Sequence, residues 1–406
     1  MKIVYQSFRL VLAILIISVG IFVLRWQLTK HITVDYIAYW SAARLAITGG
    51  NPYNTYDMLK IEEEIGWPTN SGQSGLPDDY AHMMFNPPWT IFFILPFGLV
   101  DYLTSRAIFY FLCVGIIFFS VDRFWKTLGG RITHIWIVLL LVFTFPATVS
   151  LIDLGNIAIF PLLGIVLFIL LIKKDKYFWA GTTLSLMLIK PQNIYLFLVA
   201  LVVWVLVEKR WMVLLGAFIS LAISTGITLI FIPSVFKDYL ELMSMGRTDP
   251  WLNATIGSFI RLRFGYDLVW LIYLPIIPGL IWFFLYWVSH HNNWNWDKAM
   301  PYLLLISAVT SPWGWLLDIT LSIPAIIYIT FRLIYGWKQI KSAQHRSILV
   351  LLFIYAIVTE VMTFQRGMLF PYAHNLWWYS TFLLICFIGL DRFSRIEEQE
   401  PTLNLL

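Results

Sequence analysis

The sequence predicts an all-α polytopic membrane protein. Of its 406 residues, 59% are apolar and only 13% are charged, whereas soluble domains carry about 25% charged residues. The apolar residues form runs of helical length, and a backbone in lipid must satisfy its hydrogen bonds within each segment. The mean hydropathy of +0.76 agrees with this class. We interpret residues 1–406 as a single integral-membrane domain.

Composition also argues against several classes of function. Cys113 and Cys386 each lie inside an apolar run, which argues against a disulfide framework and a thiol metal site. The sequence contains no glycine-rich nucleotide-binding motif and no HExxH motif. The net charge of +5 comes mainly from short loops, so it does not indicate nucleic acid. We expect no cofactor and no nucleic-acid partner.

Apolar segments follow one another along the whole chain. The first, 8–24, ends at Arg25 without a cleavage site and is predicted to be a retained span. The second, 89–100, is shorter than the ~20 residues that a span needs and contains Pro96 and Gly98, so we predict a short or re-entrant helix there. The others lie near 104–121, 132–149, 156–172, 177–189, 191–207, 211–233, 267–288, 299–311, 316–331, 347–364 and 375–390.

The basic loops determine the predicted topology. If 89–100 does not cross, these loops all fall on the side of the N terminus, which the positive-inside rule makes cytoplasmic. We therefore predict about 12 crossings with both termini in the cytoplasm. The polar segment 25–88 then forms a large first extracytoplasmic loop with interfacial helices. The basic loops are 123–131, 173–176, 209–210, 332–346 and 392–395.

Asp35 lies a few residues beyond the first predicted span. It precedes an aromatic-rich stretch, 36–47, in which apolar residues recur at helical spacing. The residue type allows two roles, a helix N-cap that meets the helix dipole and a base at the membrane surface, and both can hold at once. In the same loop, Asp78 and Asp79 fit solvated loop charges better than a metal site.

Several cations lie on the predicted outer face. Lys190 falls between two apolar runs, where a lysine is costly unless it is paired. It either extends to the membrane interface or binds a phosphate. Arg261, Arg263 and Arg366 are further candidates for a phosphate, and a lipid headgroup contact is the alternative for each of them.

Other polar and aromatic residues near the outer helix ends are also candidates. Asp318 lies at such an end and Glu360 lies inside an apolar run. Carboxylates in a membrane are functional candidates, and these two either contact sugar hydroxyls or pair with a cation. Trp315 is a candidate to stack on a sugar ring. We interpret the His290-His291 pair as structural, because the predicted topology makes it cytoplasmic.

A series of motifs follows a fixed order along the predicted outer face. They are Asp35-Tyr36, Ala42-Ala43-Arg44, Gly50-Asn51-Pro52-Tyr53, Phe85-Asn86-Pro87-Pro88, Gly155-Asn156, Lys190-Pro191-Gln192, Asn253-Ala254-Thr255 and Ser311-Pro312-Trp313-Gly314-Trp315. This order resembles the polyprenol-phosphate-sugar-dependent glycosyltransferases of the GT-C superfamily, most of all family GT87, the bacterial alpha-mannosyltransferases. The resemblance covers the chain from the first span to about residue 318, and it is only partial at Gly155-Asn156.

The resemblance implies a GT-C-type helical bundle in the cell membrane with an extracytoplasmic active site. The implied reaction moves a mannose-like hexose from a polyprenyl-phosphate-sugar donor to a lipid-linked or cell-envelope glycan acceptor, with inversion and without a metal. Asp35 is the implied general base. The candidate ligands of the donor phosphate are Lys190, Arg263 and Arg366. The candidate contacts of the sugar or acceptor are Tyr36, Tyr53, Asn156, Gln192, Trp315 and Asp318.

This residue inventory suits transfer from a lipid phosphate. An acceptor hydroxyl loses its proton as it attacks, and one carboxylate can take that proton. The leaving phosphate monoester, with a second pKa of about 6, needs no general acid, but it needs cations or N–H donors. The family often carries a histidine two or three residues after the motif tryptophan, where this chain has Leu317 and Asp318. That departure leaves the donor sugar open.

Two alternatives stay open at this point. The first is a proton-coupled transporter or lipid flippase, in which Asp318 and Glu360 couple protons. A transporter should show internal repeats and elaborate loops on both sides of the membrane. This chain instead concentrates its Gly, Pro and Asn turns on one predicted side. The second alternative is a GT-C-like protein that binds its ligands without catalysing transfer.

Overall fold

The computed structural model describes residues 34–66, 81–246, 253–369 and 375–394. Every regular element in these ranges is a helix, and none of them contains a strand, which confirms the predicted all-α class. The predicted first span, 8–24, and the pair Asp78-Asp79 lie outside the described residues.

The helices follow one another with short connections. The α-helices are Val34–Thr48, Thr55–Glu64, Thr90–Ile94, Tyr102–Thr127, Ile135–Phe143, Pro146–Leu154, Ile159–Ile172, Tyr177–Thr182, Leu184–Met187, Tyr195–Val207, Trp211–Phe231, Val235–Ser244, Ile256–Phe264, Ile276–His290, Trp296–Thr310, Ile323–Gly336, Ser342–Leu369 and Trp377–Phe393. The 3₁₀ segments are Leu95–Leu99, Ile132–His134, Pro191–Ile194, Val269–Tyr273, His291–Asn293, Leu316–Ser322 and Trp337–Gln339.

Within the described ranges, five helical segments are long and apolar enough to cross a membrane. A sixth is added if Ile132–Phe143 and Pro146–Leu154 form one span, whose two halves are bent by 65°. Proline lacks an N–H and favours the first turn of a helix, so Pro146 starts the second half. The total of about 12 crossings stays a prediction. The five segments are Tyr102–Thr127, Trp211–Phe231, Val269–Asn293, Leu316–Gln339 and Gln344–Thr363.

The segment predicted at 89–100 forms a short helical element, Thr90–Leu99. Its 10 residues extend about 15 Å, roughly half of a ~30 Å hydrocarbon core. The Arg44 guanidinium donates to the carbonyl oxygen of Gly98 at 3.0 Å. A Cβ atom on Gly98 would lie 2.6 Å from the backbone of Ala43. Glycine therefore permits this element to pack directly on the helix Val34–Thr48.

The helix Val34–Thr48 is buried on nearly all sides. Its side chains from Tyr36 to Ala43 are each at most 7% exposed, and a helix that is apolar all round belongs in an interior. The structure therefore corrects the expectation that residues 36–47 form a surface-lying interfacial helix. Alanines at 38, 42, 43 and 46 keep the helix narrow, so its neighbours approach from several directions.

Candidate active site

Asp35 lies in the first turn of the helix Val34–Thr48 and is partly buried. Its Oδ2 atom accepts a hydrogen bond from Nδ2 of Asn156 at 2.7 Å. The Asn156 side chain is 3% exposed, and its Oδ1 atom accepts from the backbone N–H of Ala158 at 2.8 Å. The amide of Asn156 thus has a fixed orientation, with its N–H directed at the Asp35 carboxylate.

Lys190 and Asp318 form a buried ion pair next to Asn156. Nζ of Lys190 donates to Oδ1 of Asp318 at 2.7 Å and to Oδ1 of Asn156 at 3.0 Å. The two charged residues are 7% and 6% exposed. The backbone N–H of Trp315 donates to the second oxygen of Asp318 at 2.9 Å. Lys190 is therefore a buried, paired cation, and not one that extends to the membrane interface.

Asp35, Asn156, Lys190 and Asp318 form one hydrogen-bonded chain, which we call the polar network. Its members come from four segments that are far apart in the sequence. Asn156 follows Gly155, at which the helix Pro146–Leu154 ends, and Lys190 directly precedes the 3₁₀ segment Pro191–Ile194. Asp318 lies in the first turn of the 3₁₀ segment Leu316–Ser322. The structure thus brings four of the candidate site residues together.

Burial raises the pKa of Asp35, because the ionised carboxylate loses solvation there. The hydrogen bond from Asn156 and the positive charge of Lys190 oppose this rise, whereas the charge of Asp318 adds to it. A positive charge on His82 also lowers the pKa of Asp35. Burial outweighs the opposing contributions, so Asp35 holds a proton more strongly than an ordinary aspartate. This property suits a general base.

Residues 85–312, more than half of the chain, match the family model described as glycosyltransferase family 87. The chain belongs to glycosyltransferase family 87. This family 87 member is accordingly a glycosyltransferase. The matched range contains Asn156 and Lys190, whereas Asp35 and Asp318 lie outside it. No curated protein and no solved structure matches the chain.

Two tyrosines that we expected to contact a sugar are core residues of this family 87 enzyme. Tyr36 is 1% exposed, and its hydroxyl pairs with Oγ of Ser105 at 2.5 Å. Tyr53 is 4% exposed and donates to the carbonyl oxygen of Asn86 at 3.1 Å. Nδ2 of Asn86 in turn donates to the carbonyl oxygen of Ile189 at 3.1 Å. Tyr53 and Asn86 therefore fix the backbone immediately before Lys190.

The other candidates fall at different distances from the polar network. Gln192 and Trp315 are partly buried, and both lie on turns that carry network residues. Arg263 is exposed at the end of the helix Ile256–Phe264, whereas Arg261 is 2% exposed and donates to the carbonyl oxygen of Tyr266 at 2.6 Å. The side chain of Arg366 lies outside the described residues, and Glu360 is exposed.

Two residues near the network were not among the sequence-based candidates. Tyr39 lies one helical turn after Asp35, and Nδ2 of Asn156 lies 3.3 Å from its hydroxyl. Burial and the charge of Asp35 raise the pKa of Tyr39 well above its usual value. Its i, i+4 spacing from Asp35 was the available signal. The backbone N–H of His82 donates to the buried Glu62 carboxylate at 3.0 Å. His82 lies in a loop whose sequence has no periodic pattern, so no signal indicated it.

A larger cleft of this enzyme lies away from the network. It has a volume of about 880 Å³, and its lining includes the charged residues Arg44, Asp57, Lys60 and Asp101. Its lining on the helix Val34–Thr48 runs from Trp40 to Thr48, about 8–20 Å along that helix from Asp35. Among the described residues, no cluster of three or more His, Cys, Asp or Glu side chains is placed to hold a metal ion.

The environment of Asp35 predicts the pH dependence of the family 87 enzyme. If Asp35 acts as a base it must be ionised, and its raised pKa then moves the acid limb of kcat/KM above the ~3.9 of an ordinary aspartate. Asn156→Ala removes the hydrogen bond that favours the ionised form, so the acid limb should move to still higher pH. The measurement is a pH–rate profile of both proteins. An unchanged acid limb in the variant would show that Asn156 does not affect the ionisation of Asp35.

Gly155 sets the position of Asn156. It ends the helix Pro146–Leu154 at φ +70°, and a Cβ atom there would lie 2.7 Å from Cβ of Tyr36. We expect Gly155→Ala to lower the free energy of unfolding by about 2–4 kcal/mol, through left-handed strain and overpacking. Transfer activity should fall with it, because Asn156 moves away from Asp35. Thermal unfolding checks this, with Gly115→Ala, whose added methyl meets open space, as the control.

Proposed function

We propose that this family 87 enzyme transfers a mannose-like hexose from a polyprenyl phosphate to a lipid-linked or cell-envelope glycan acceptor. The reaction takes place at the extracytoplasmic face of the cell membrane. The observation that carries the proposal is the polar network, which joins a carboxylate of raised pKa to a buried lysine through one asparagine. A transfer from a lipid phosphate needs both a base and a cation.

Asp35 is the general base in this mechanism. The acceptor hydroxyl oxygen attacks the anomeric carbon as its proton passes to the Asp35 carboxylate. The bond between the anomeric carbon and the phosphate oxygen breaks, and the polyprenyl phosphate leaves with the bonding electron pair. One displacement inverts the anomeric configuration. Asn156 holds the carboxylate in place through its 2.7 Å hydrogen bond.

Lys190 stabilises the leaving phosphate. An ammonium group has three N–H donors, of which two are directed at Asn156 and Asp318. The third serves a phosphate oxygen. Asp318 compensates the lysine charge while the phosphate is absent, so a cation is kept in a buried position without a prohibitive desolvation cost. Asp318 also occupies the region in which the family often carries a histidine.

The charge distribution supports the proposed sidedness. The helix Ile159–Ile172 begins three residues after Asn156, and Tyr102–Thr127 begins beside Tyr36, the neighbour of Asp35. They end close to Lys173 and Lys126. Lys173 pairs there with Asp297 at 2.5 Å. The positive-inside rule assigns such basic ends to the cytoplasm. The network then lies at the opposite, extracytoplasmic face, with about 12 crossings and both termini in the cytoplasm.

A donor panel tests this function. Purified full-length protein in vesicles is incubated with radiolabelled polyprenyl phosphates that carry mannose, glucose or galactose, together with envelope glycolipids. We expect label in the glycolipid from one donor, with mannose as the preferred sugar. The contrary outcome is no product from any donor together with proton-dependent uptake that requires Glu360 and not Asp35, which would favour a transporter.

A further inference from the structure

A small cavity lies beside Asp318, one member of the polar network. Its volume is about 10 Å³, and Asn193, Gly314, Trp315 and Asp318 contribute to its wall. A space of that size holds about one water molecule or one hydroxyl group. The cavity is therefore too small for a sugar ring, but it has room for one substituent of a ring bound next to it.

The Asn193 side chain is not fully hydrogen-bonded among the described residues. It is 3% exposed, and its Oδ1 atom lies 3.1 Å from Oγ of Ser311, whereas its Nδ2 atom has no described partner. The Ser311 hydroxyl also lies 2.7 Å from the carbonyl oxygen of Trp313. The single proton of the Ser311 hydroxyl can serve only one of these two acceptors. Ser311 is the one described partner of the Asn193 amide. Whichever way the amide is oriented, one of its polar atoms therefore has no described partner. A buried polar atom of this kind costs about 1–3 kcal/mol.

A second such amide precedes the lining residue Ala254 in the sequence. Asn253 is 0% exposed, and neither polar atom of its side chain has a hydrogen-bond partner in the described ranges. The next residue, Ala254, lines the cavity, and its N–H donates to the carbonyl oxygen of Gly314 at 3.1 Å. Backbone and side-chain hydrogen bonds thus tie both walls to the 311–315 turn. The cavity is preformed; one incompletely bonded amide, Asn193, lines it, and a second, Asn253, lies one residue from its wall.

We propose that this cavity is a hydroxyl subsite, which takes one hydroxyl group of a sugar bound beside the Lys190–Asp318 pair. The inference rests on the proposed function and adds a determinant of sugar specificity to it. The Asn193 amide bonds the hydroxyl oxygen or proton, and Asp318 accepts a hydrogen bond. A carboxylate has about four acceptor positions, of which Lys190 and Trp315 use two.

The fixed geometry of the subsite gives it selectivity. A site built to hydrogen-bond a substrate hydroxyl can reject an analogue without that hydroxyl by about 10⁴-fold. A hydroxyl of the opposite configuration points away from the cavity and leaves its polar groups unpaired. The subsite therefore selects among hexoses that differ at one carbon, although Asp35 and Lys190 act on all of them alike.

Gly314→Ala tests the subsite, because the added methyl group fills the cavity without a clash. The new Cβ atom would lie 3.5 Å from Oδ1 of Asn193 and from Cγ2 of Thr255, which is ordinary van der Waals contact. The variant should therefore fold. Gly115→Ala adds the same methyl group in open space and is the matched control. Asn193→Leu removes the amide at similar side-chain volume and is the second variant.

The readout is thermal stabilisation of the vesicle-reconstituted, full-length protein by polyprenyl phosphate with and without its sugar, together with the KM of donor and acceptor. If the hydroxyl belongs to the donor, Gly314→Ala loses the stabilisation that the sugar adds, keeps that of the bare lipid phosphate, and raises the donor KM at least about tenfold. If the hydroxyl belongs to the acceptor, the donor values stay unchanged and the acceptor KM rises by that factor. Asn193→Leu should follow the same pattern, and the control should match the wild type.

Two outcomes separate the subsite from the proposed function. If the wild type transfers sugar, and Gly314→Ala and Asn193→Leu match it in all four measurements, the subsite is refuted and the transferase mechanism stands. If the wild type neither transfers sugar nor gains stability from the sugar of any donor, the proposed function fails, and the subsite fails with it.

Discussion

Replacement of Asp35 by asparagine should lower the rate of sugar transfer by about 10²–10⁴-fold, the usual contribution of a general base. Asparagine keeps the size of the side chain and can still accept a hydrogen bond from Asn156. It cannot take the proton of the acceptor hydroxyl. The KM of the donor should change little, because the proposed phosphate contact is made by Lys190 and not by Asp35. The measurement is steady-state transfer in vesicles over a range of donor concentrations.

The same variant should not destabilise the protein. Burial raises the pKa of Asp35 in the folded state, so the folded protein binds a proton more strongly than the unfolded chain does. The stabilising contribution of Asp35 is present below its unfolded pKa and is lost as the pH rises through the folded pKa. At neutral pH the ionised carboxylate costs free energy, which asparagine removes. We expect an equal or higher Tm at pH 7.

Asp122→Asn is the matched control for this experiment. Asp122 pairs with Lys126 at 2.6 Å, near the opposite end of the helix Tyr102–Thr127. The substitution is chemically the same and lies far from the polar network, so transfer should be unaffected. Wild-type activity in Asp35→Asn would exclude Asp35 as the base. Loss of transfer together with loss of the fold would assign Asp35 a structural role instead.

Disruption of the Lys190–Asp318 pair should have a large effect on both the free energy of unfolding and the transfer activity. Lys190→Met leaves the Asp318 carboxylate buried and without its cation, which should cost about 3–5 kcal/mol. The double variant Lys190→Met/Asp318→Leu removes both charges and should recover most of that loss. Its transfer activity should stay low, since the leaving phosphate has lost its cation. This combination separates the structural effect of the pair from its effect on catalysis.

An exposed ion pair supplies the comparison. Lys173 and Asp297 pair at 2.5 Å, but their side chains are 36% and 20% exposed. Lys173→Met should therefore cost less than about 1 kcal/mol and leave transfer intact. Denaturation of all the variants under one condition measures these differences. If the double variant transfers sugar at the wild-type rate, Lys190 does not contact the phosphate.

The positions of the main network residues followed from the sequence. Gly155, Lys190 and Trp315 mark turns at helix ends, and the charge pattern placed these turns on one predicted face. Residues on turns of one face can meet across a helical bundle. The pairing itself could not be predicted, because Lys190 and Asp318 are 128 positions apart and local patterns contain no information about such contacts.

The burial of the helix Val34–Thr48 was not predictable from its sequence. Its aromatic and alanine residues fit a membrane interface as well as an interior, and only the tertiary neighbours distinguish the two. The same limit applies to Tyr36 and Tyr53, whose motifs suggested ligand contacts although their hydroxyl groups bond Ser105 and the Asn86 backbone. The cavity at Gly314 depends on contacts between three separate segments, and no motif encodes it.

The most direct test of the mechanism follows the products of one turnover. Wild-type protein in vesicles receives a polyprenyl-phosphate-linked hexose of known anomeric configuration and an envelope glycolipid acceptor. We predict that each molecule of glycosylated acceptor appears with one molecule of free polyprenyl phosphate, and that NMR finds the inverted anomeric configuration. Retention of configuration, or hydrolysis of the donor without a glycosylated product, would contradict direct displacement with Asp35 as the base.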